Sequence, residues 1–176
     1  MKVMKRNLIL LSLSFITSAA VAQGLVNFYN NPNTLIGPWP YGGGAYGGYP
    51  QAGSLYFGLL TAPAGTTDPR QFSFSNVYGT NLSAAGRFTC GSGVSVSGWA
   101  AGTTRSFMVA GWSRDLGPDW EPGWLSGNFE RPGFFGISSI GTGIAGGFDG
   151  TKSIVALNVF GGSNGLQTGF GCILWG

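Results

Sequence analysis

An all-β fold, an antiparallel β-sandwich with jelly-roll-like or Ig-like connections, is predicted by three features of this 176-residue chain. Thirty-three glycines and nine prolines interrupt it at short intervals, and each glycine inside a helix costs about 1 kcal/mol relative to alanine. Between those breaks lie short apolar and β-branched runs rather than stretches of helical period. Alternation is clean at Val94-Ser95-Val96-Ser97, the pattern of a strand with one wet face.

Taken in order, strands are expected at 24–29, 54–61, 71–78, 87–97, 104–113, 134–140, 152–160 and 166–175. The run Ser153-Ile154-Val155-Ala156-Leu157-Asn158-Val159-Phe160 is apolar on both faces, as in a central strand covered on both sides. Turns are expected at Gly98-Trp99-Ala100-Ala101-Gly102, at Phe148-Asp149-Gly150-Thr151 and at Gly161-Gly162-Ser163-Asn164-Gly165. Asp-Gly is a favoured hairpin pair.

Two stretches are too long for turns, and long loops are candidate functional elements. Residues 30–50 interleave prolines and glycines with Trp39, Tyr41, Tyr46 and Tyr49. Residues 114–133 hold Asp115, Asp119, Glu121 and Glu130 beside Trp120 and Trp124, with one short helical turn expected near Pro118 to Leu125.

Residues 1–22 read as a secretory signal. Lys2, Lys5 and Arg6 make a basic start, Leu8 to Ile16 is apolar but for two serines, and Ala20-Val21-Ala22 fits the cleavage pattern. The apolar run is too short to remain as a membrane anchor. Residues 23–176 then form one domain, secreted to the periplasm or medium. Three of the nine basic residues belong to the leader, so the remainder balances the six acids. Arg70, Arg87, Arg105 and Arg114 are widely spaced, which argues against nucleic acid and anionic membrane as partners. No later apolar run reaches the ~20 residues of a membrane helix, and an outer-membrane barrel is not expected because the chain lacks a terminal aromatic-ended strand of regular alternation.

Cys90 and Cys172 are the only cysteines. An even count in an oxidising compartment favours one disulfide, closing a loop of about 80 residues and contributing about 4–5 kcal/mol in the chain-entropy model. Two buried free thiols are the rival reading.

Several motifs resemble exported bacterial proteins of Verrucomicrobia-like genomes that carry a PEP-CTERM sorting tail. They are Gln23-Gly24 with Val26-Asn27-Phe28 and Asn30, then Ala52-Gly53-Ser54-Leu55-Tyr56 running on to Ala62-Pro63-Ala64-Gly65-Thr66. Gly98-Trp99-Ala100-Ala101-Gly102, Phe107-Met108-Val109-Ala110-Gly111-Trp112 and Gly165-Leu166-Gln167 complete the set. The resemblance implies a secreted β-sandwich associated with the cell surface or extracellular matrix. The chain has no Pro-Glu-Pro motif, terminal membrane helix or basic tail after Gln167, so release rather than anchoring is expected.

Histidine is absent, which removes Ser-His-Asp and Cys-His systems and the commonest metal ligand. No dinucleotide or Walker-type fingerprint occurs. Neither a catalytic residue, a metal site nor a cofactor is expected. Glycoside hydrolysis needs only two carboxylates, for which Asp119, Glu121 and Glu130 are the sole group; a solvated acidic loop is the simpler account. A non-catalytic binding role suits the composition better, because sugars stack their apolar faces on aromatics while amides and carboxylates take the hydroxyls. Trp39, Tyr41, Tyr46, Tyr49, Trp120 and Trp124 are the ligand-binding candidates, against the alternative that they plug the ends or edges of the fold. Trp99, Trp112 and Trp175 are expected in the core. Polysaccharide is thus the expected partner; self-association into a surface layer or fibre is the other, since near-zero charge opposes it little.

Overall fold

The near-continuous apolar runs at 55–63 and 104–113 set the architecture. In the computed structural model, which describes residues 22–38 and 51–175, these become strands buried on both faces. Twelve strands are present among the described residues: β1 (Gln23–Tyr29), β2 (Gly37–Pro38), β3 (Leu55–Pro63), β4 (Ser73–Asn81), β5 (Phe88–Ala100), β6 (Thr104–Ser113), β7 (Gly133–Ile137), β8 (Gly141–Ile144), β9 (Gly147–Phe148), β10 (Ser153–Ile154), β11 (Leu157–Asn158) and β12 (Gly171–Trp175). The all-β prediction holds. The leader at 1–21 and the aromatic stretch at 39–50 lie outside the described residues.

Successive side chains of a strand point to opposite faces, and β3 and β6 use this to build two apolar layers. Phe57 and Leu59 of β3 join Phe107 and Val109 of β6 in one core with Val26, Phe28, Phe88, Val96 and Trp99. Leu60 and Ala62 of β3 join Met108, Ala110 and Trp112 of β6 in a second, on the other side of the sheet. The strands are antiparallel, with Phe57 opposite Gly111 and Leu60 opposite Met108.

The strands expected to divide between two stacked sheets are instead joined in one path, β11-β1-β5-β4-β3-β6-β7-β12-β2, with β8 also paired to β6. Pairing along this path is antiparallel except at β1–β11 and β12–β2. β3, β4 and β5 follow in order and β6 returns beside β3, a Greek-key arrangement. Only Ala101, Gly102 and Thr103 connect β5 to β6, although β4 and β3 stand between them in the sheet. So short a link requires the sheet to curl. Trp99 accordingly meets Phe107 at 6.1 Å between ring centroids, and its indole N–H donates to the Thr103 carbonyl at 2.9 Å. The layering comes from one curled mixed sheet.

The continuous apolar run at 152–160 is not the central strand it resembles. Only β10 and β11 form there, two residues each, and Val155 between them is 87% exposed. An apolar run without alternation does not reveal which face it buries; the doubly covered strands are β3 and β6. The last strand begins at Gly171 rather than 166: Leu166 instead bonds back to the Val159 carbonyl and the Gly161 amide, and Gly169 runs against the Thr34–Leu35 backbone, where any Cβ would collide with the Leu35 carbonyl. β5 extends to Ala100, shortening the turn expected at 98–102, and β2, β8 and β9 were not anticipated. The Asp-Gly turn joins β9 to β10 as expected, with Gly150 at φ 98°.

Cys90 and Cys172 are not bonded to each other, which corrects the expected disulfide. Cys90 stands half-buried on β5 and Cys172 buried on β12, with β4, β3, β6 and β7 between them in the sheet. An even cysteine count says nothing of the 4.4–6.8 Å Cα separation that a bridge typically needs. Burial pushes the Cys90 thiol up and the Cys172 thiol up to about 12.

Asn30 closes the end of β1. It is fully buried, and its amide donates to the carbonyls of Thr34 at 2.9 Å and Gly86 at 2.7 Å. Its side-chain oxygen accepts from the Phe88 amide at 2.9 Å, and Arg87 donates to its main-chain carbonyl at 2.7 Å. One residue thereby ties three chain segments together.

Candidate functional site

The outer apolar face of β3 and β6 must be covered, and residues 114–133 cover it. The chain leaves β6 through a 3₁₀ turn at Arg114–Leu116 and makes a second at Pro122–Ser126. Proline at the start and Gly127 in the left-handed region (φ 78°) bound that second turn, where a residue without Cβ is favoured. It falls close to the helical turn expected from the sequence. Leu116 and Trp124 are buried against Met108, Ala110, Trp112 and Phe135.

Both tryptophans singled out in this segment face the sheet. Trp124 is 5% exposed; its ring lies 5.8 Å from Trp112 and 5.6 Å from the half-buried Trp120. Trp120 also packs on Phe74 at 6.1 Å. Their visible work is to close the second core. Trp39, Tyr41, Tyr46 and Tyr49, the other aromatic candidates, lie outside the described residues. Trp99 and Trp112 are fully buried as expected, but Trp175 is 39% exposed, because β12 lies near the end of the sheet, where little covers its outer face.

Aromatic surface reaches solvent by a ladder. Phe129 stacks on Trp124 at 6.4 Å with an interplanar angle of 7°, and on Trp175 at 5.2 Å and 22°. Two depressions flank Trp124. The first, about 540 Å³, is lined by Glu121, Trp124, Asn128, Phe129, Glu130 and Arg131. The second, about 310 Å³, is lined by Leu125, Phe135, Ile137, Ile173 and Trp175. Trp124 and Gly127 border both.

The first depression combines ring surface with two carboxylates, an amide and a guanidinium. Such a set offers acceptors, donors and an apolar shelf to a polyhydroxylated ligand. Glu121 and Glu130 both border it and are both exposed, whereas Asp119 is exposed outside its lining. Among the described residues, no group of three or more histidine, cysteine, aspartate or glutamate side chains is placed to hold a metal ion.

Sequence reasoning located the segment and the glutamates but missed Asn128, Phe129, Arg131 and Trp175. A usable signal existed for Phe129: it sits between Asn128 and Glu130, and a ring flanked by polar neighbours in a loop often rests at the boundary of a core.

A third depression, about 510 Å³, lies at the other end of the sheet. It is bordered by Ile144, Asp149, Lys152, Val155, Leu157 and Asn164. Asp149 there is committed to its own turn, accepting from the Thr151 hydroxyl at 2.7 Å and from the Thr151 and Lys152 amides at 2.8 and 2.9 Å. The hydroxyl bond first, and then the amides, lower its carboxyl to about 2.

No family model, curated protein or solved structure matches this chain.

Proposed function

We propose that the protein is a secreted, non-catalytic binder of extracellular polysaccharide, and that the depression beside Trp124 is its ligand site. One observation carries the reading: Glu121, Asn128, Glu130 and Arg131 ring a cleft floored by Trp124 and Phe129. Polar groups that exchange hydrogen bonds with hydroxyls there surround an apolar surface that takes a sugar's C–H face. The leader-like residues 1–22 and the resemblance to exported PEP-CTERM-associated proteins support an extracellular setting.

Retention of the purified protein on insoluble cellulose, chitin, xylan and mannan tests the reading. Binding to at least one is expected, with loss on Glu130→Gln or Asn128→Ala, both exposed positions. Retention by none of the four overturns it. Release of reducing ends from a retained glycan, abolished by Glu121→Gln or Glu130→Gln, would replace binding with hydrolysis. Trp124→Ala is a poor test, since it opens the second core.

A second reading, self-association into a layer or fibre, is favoured by one other feature. Val155 and Ile144 are exposed apolar residues that border one depression with Leu157 and Asn158 of β11, the terminal strand of the sheet, and such edges template pairing with another chain. Concentration-dependent light scattering that Val155→Lys removes would support it.

A further inference from the structure

We infer that the ligand is a chain of at least two sugar units, lying across Gly127 with one part in each of the two depressions that flank Trp124. This rests on the polysaccharide reading above and goes beyond it by specifying the length and course of the ligand. The two depressions share Trp124 and Gly127, so they are neighbours on one surface, separated only by the residues at the end of the Pro122–Ser126 turn. Their chemistry differs. The first is ringed by charged and amide groups and the second by Ile173, Ile137, Phe135 and the Trp175 ring.

The divide between them is low because Gly127 has no side chain. It is exposed, and a Cβ built there meets nothing within 4 Å, so the way over it is open to solvent. The Trp124–Phe129–Trp175 ladder follows the same course, with Trp124 bordering both depressions, Phe129 the first and Trp175 the second. A single sugar unit satisfies one depression and leaves the exposed face of Trp175 wet. A chain covers both, and the second unit binds as an intramolecular event, without the full translational cost of the first. The apolar character of the second depression suits the C–H face of a continuing chain, whose hydroxyls point outward to water.

Titration calorimetry with oligomers of glucose, N-acetylglucosamine, xylose and mannose, from one to six units, tests the inference on the purified protein. Affinity for one series is expected to rise at least tenfold between one unit and four. Gly127→Asn should lower the four-unit affinity by far more than the single unit's, so that most of the gain with length is lost, because asparagine tolerates the left-handed backbone and places an amide over the divide. Trp175→Ala should cut oligomer binding in the same direction, and Glu130→Gln should weaken every length. Equal affinity for all lengths, or oligomer binding by Gly127→Asn indistinguishable from the parent, overturns the inference and leaves glycan binding standing. Absence of binding in every series, together with no retention on the insoluble glycans, overturns both.

Discussion

The Trp112 indole N–H donates to the Gly117 carbonyl oxygen at 3.1 Å, fastening the covering segment to the strand beneath it. Trp112 is fully buried in β6, and Gly117 follows the first 3₁₀ turn with φ 111°. The same indole lies 5.7 Å from Trp120 and 5.8 Å from Trp124. A polar bond and two ring contacts therefore converge on one side chain, which sets where the candidate site's floor stands.

Trp112→Phe keeps an aromatic ring but removes the donor, and should cost about 1–3 kcal/mol. Trp112→Ala also leaves a cavity and should cost about 3–5 kcal/mol. Urea unfolding followed by tryptophan fluorescence checks both. An unchanged midpoint for the alanine variant would show that the segment is held by something else.

Asn30→Ala should destabilise by at least about 2–3 kcal/mol. The substitution leaves the Phe88 amide and the Thr34 carbonyl without their side-chain partner, while the Gly86 carbonyl keeps the Ile36 amide, and a buried group so stranded costs about 1–3 kcal/mol. Thermal unfolding measures the loss. Asn30→Asp should not rescue it, because a carboxylate cannot donate to two carbonyls.

Both cysteines should be free. Iodoacetamide in denaturant without reductant is expected to add two groups by mass spectrometry. In the native protein at pH 8, Cys172 should stay unmodified, since its thiol is pushed up to about 12 by burial. A mass corresponding to an intact bridge would overturn the unbonded arrangement.

The Asp149 turn should titrate late. Its carboxyl stands at about 2, below the ordinary 3.8, because the ionised form accepts three hydrogen bonds. A lowered value in the folded state means the stabilisation is present above the ordinary value and is lost as pH falls through about 2. The carboxyl carbon shift followed by NMR should show that midpoint, and Thr151→Val should raise it. A midpoint at the ordinary value would contradict the turn geometry.

Much of the sheet was legible because its long strands are apolar or alternating runs bounded by glycine and proline breaks. β3 and β6 announce themselves as apolar runs and β5 by its alternation at 94–97. β2, β8 and β9 do not, since two to four glycine-rich residues pair through backbone alone and leave no side-chain pattern. The loop at 114–133 stood out as a candidate element from its length, glutamates and tryptophans, yet the packing roles of its rings did not. Trp124 turns inward because the outer faces of β3 and β6 are bare, and that is settled by tertiary pairing rather than by local sequence. The exposed Trp175 follows from β12 lying near the end of the path, and the cysteine count carried no information on separation.

The second core is roofed by irregular chain rather than by another sheet, and this separates two duties. Ladder hydrogen bonds hold the strands in register without help from Asn128, Phe129, Glu130 or Arg131. Substitutions at those positions therefore redraw the contour and charge of the depression while the framework below stays in place.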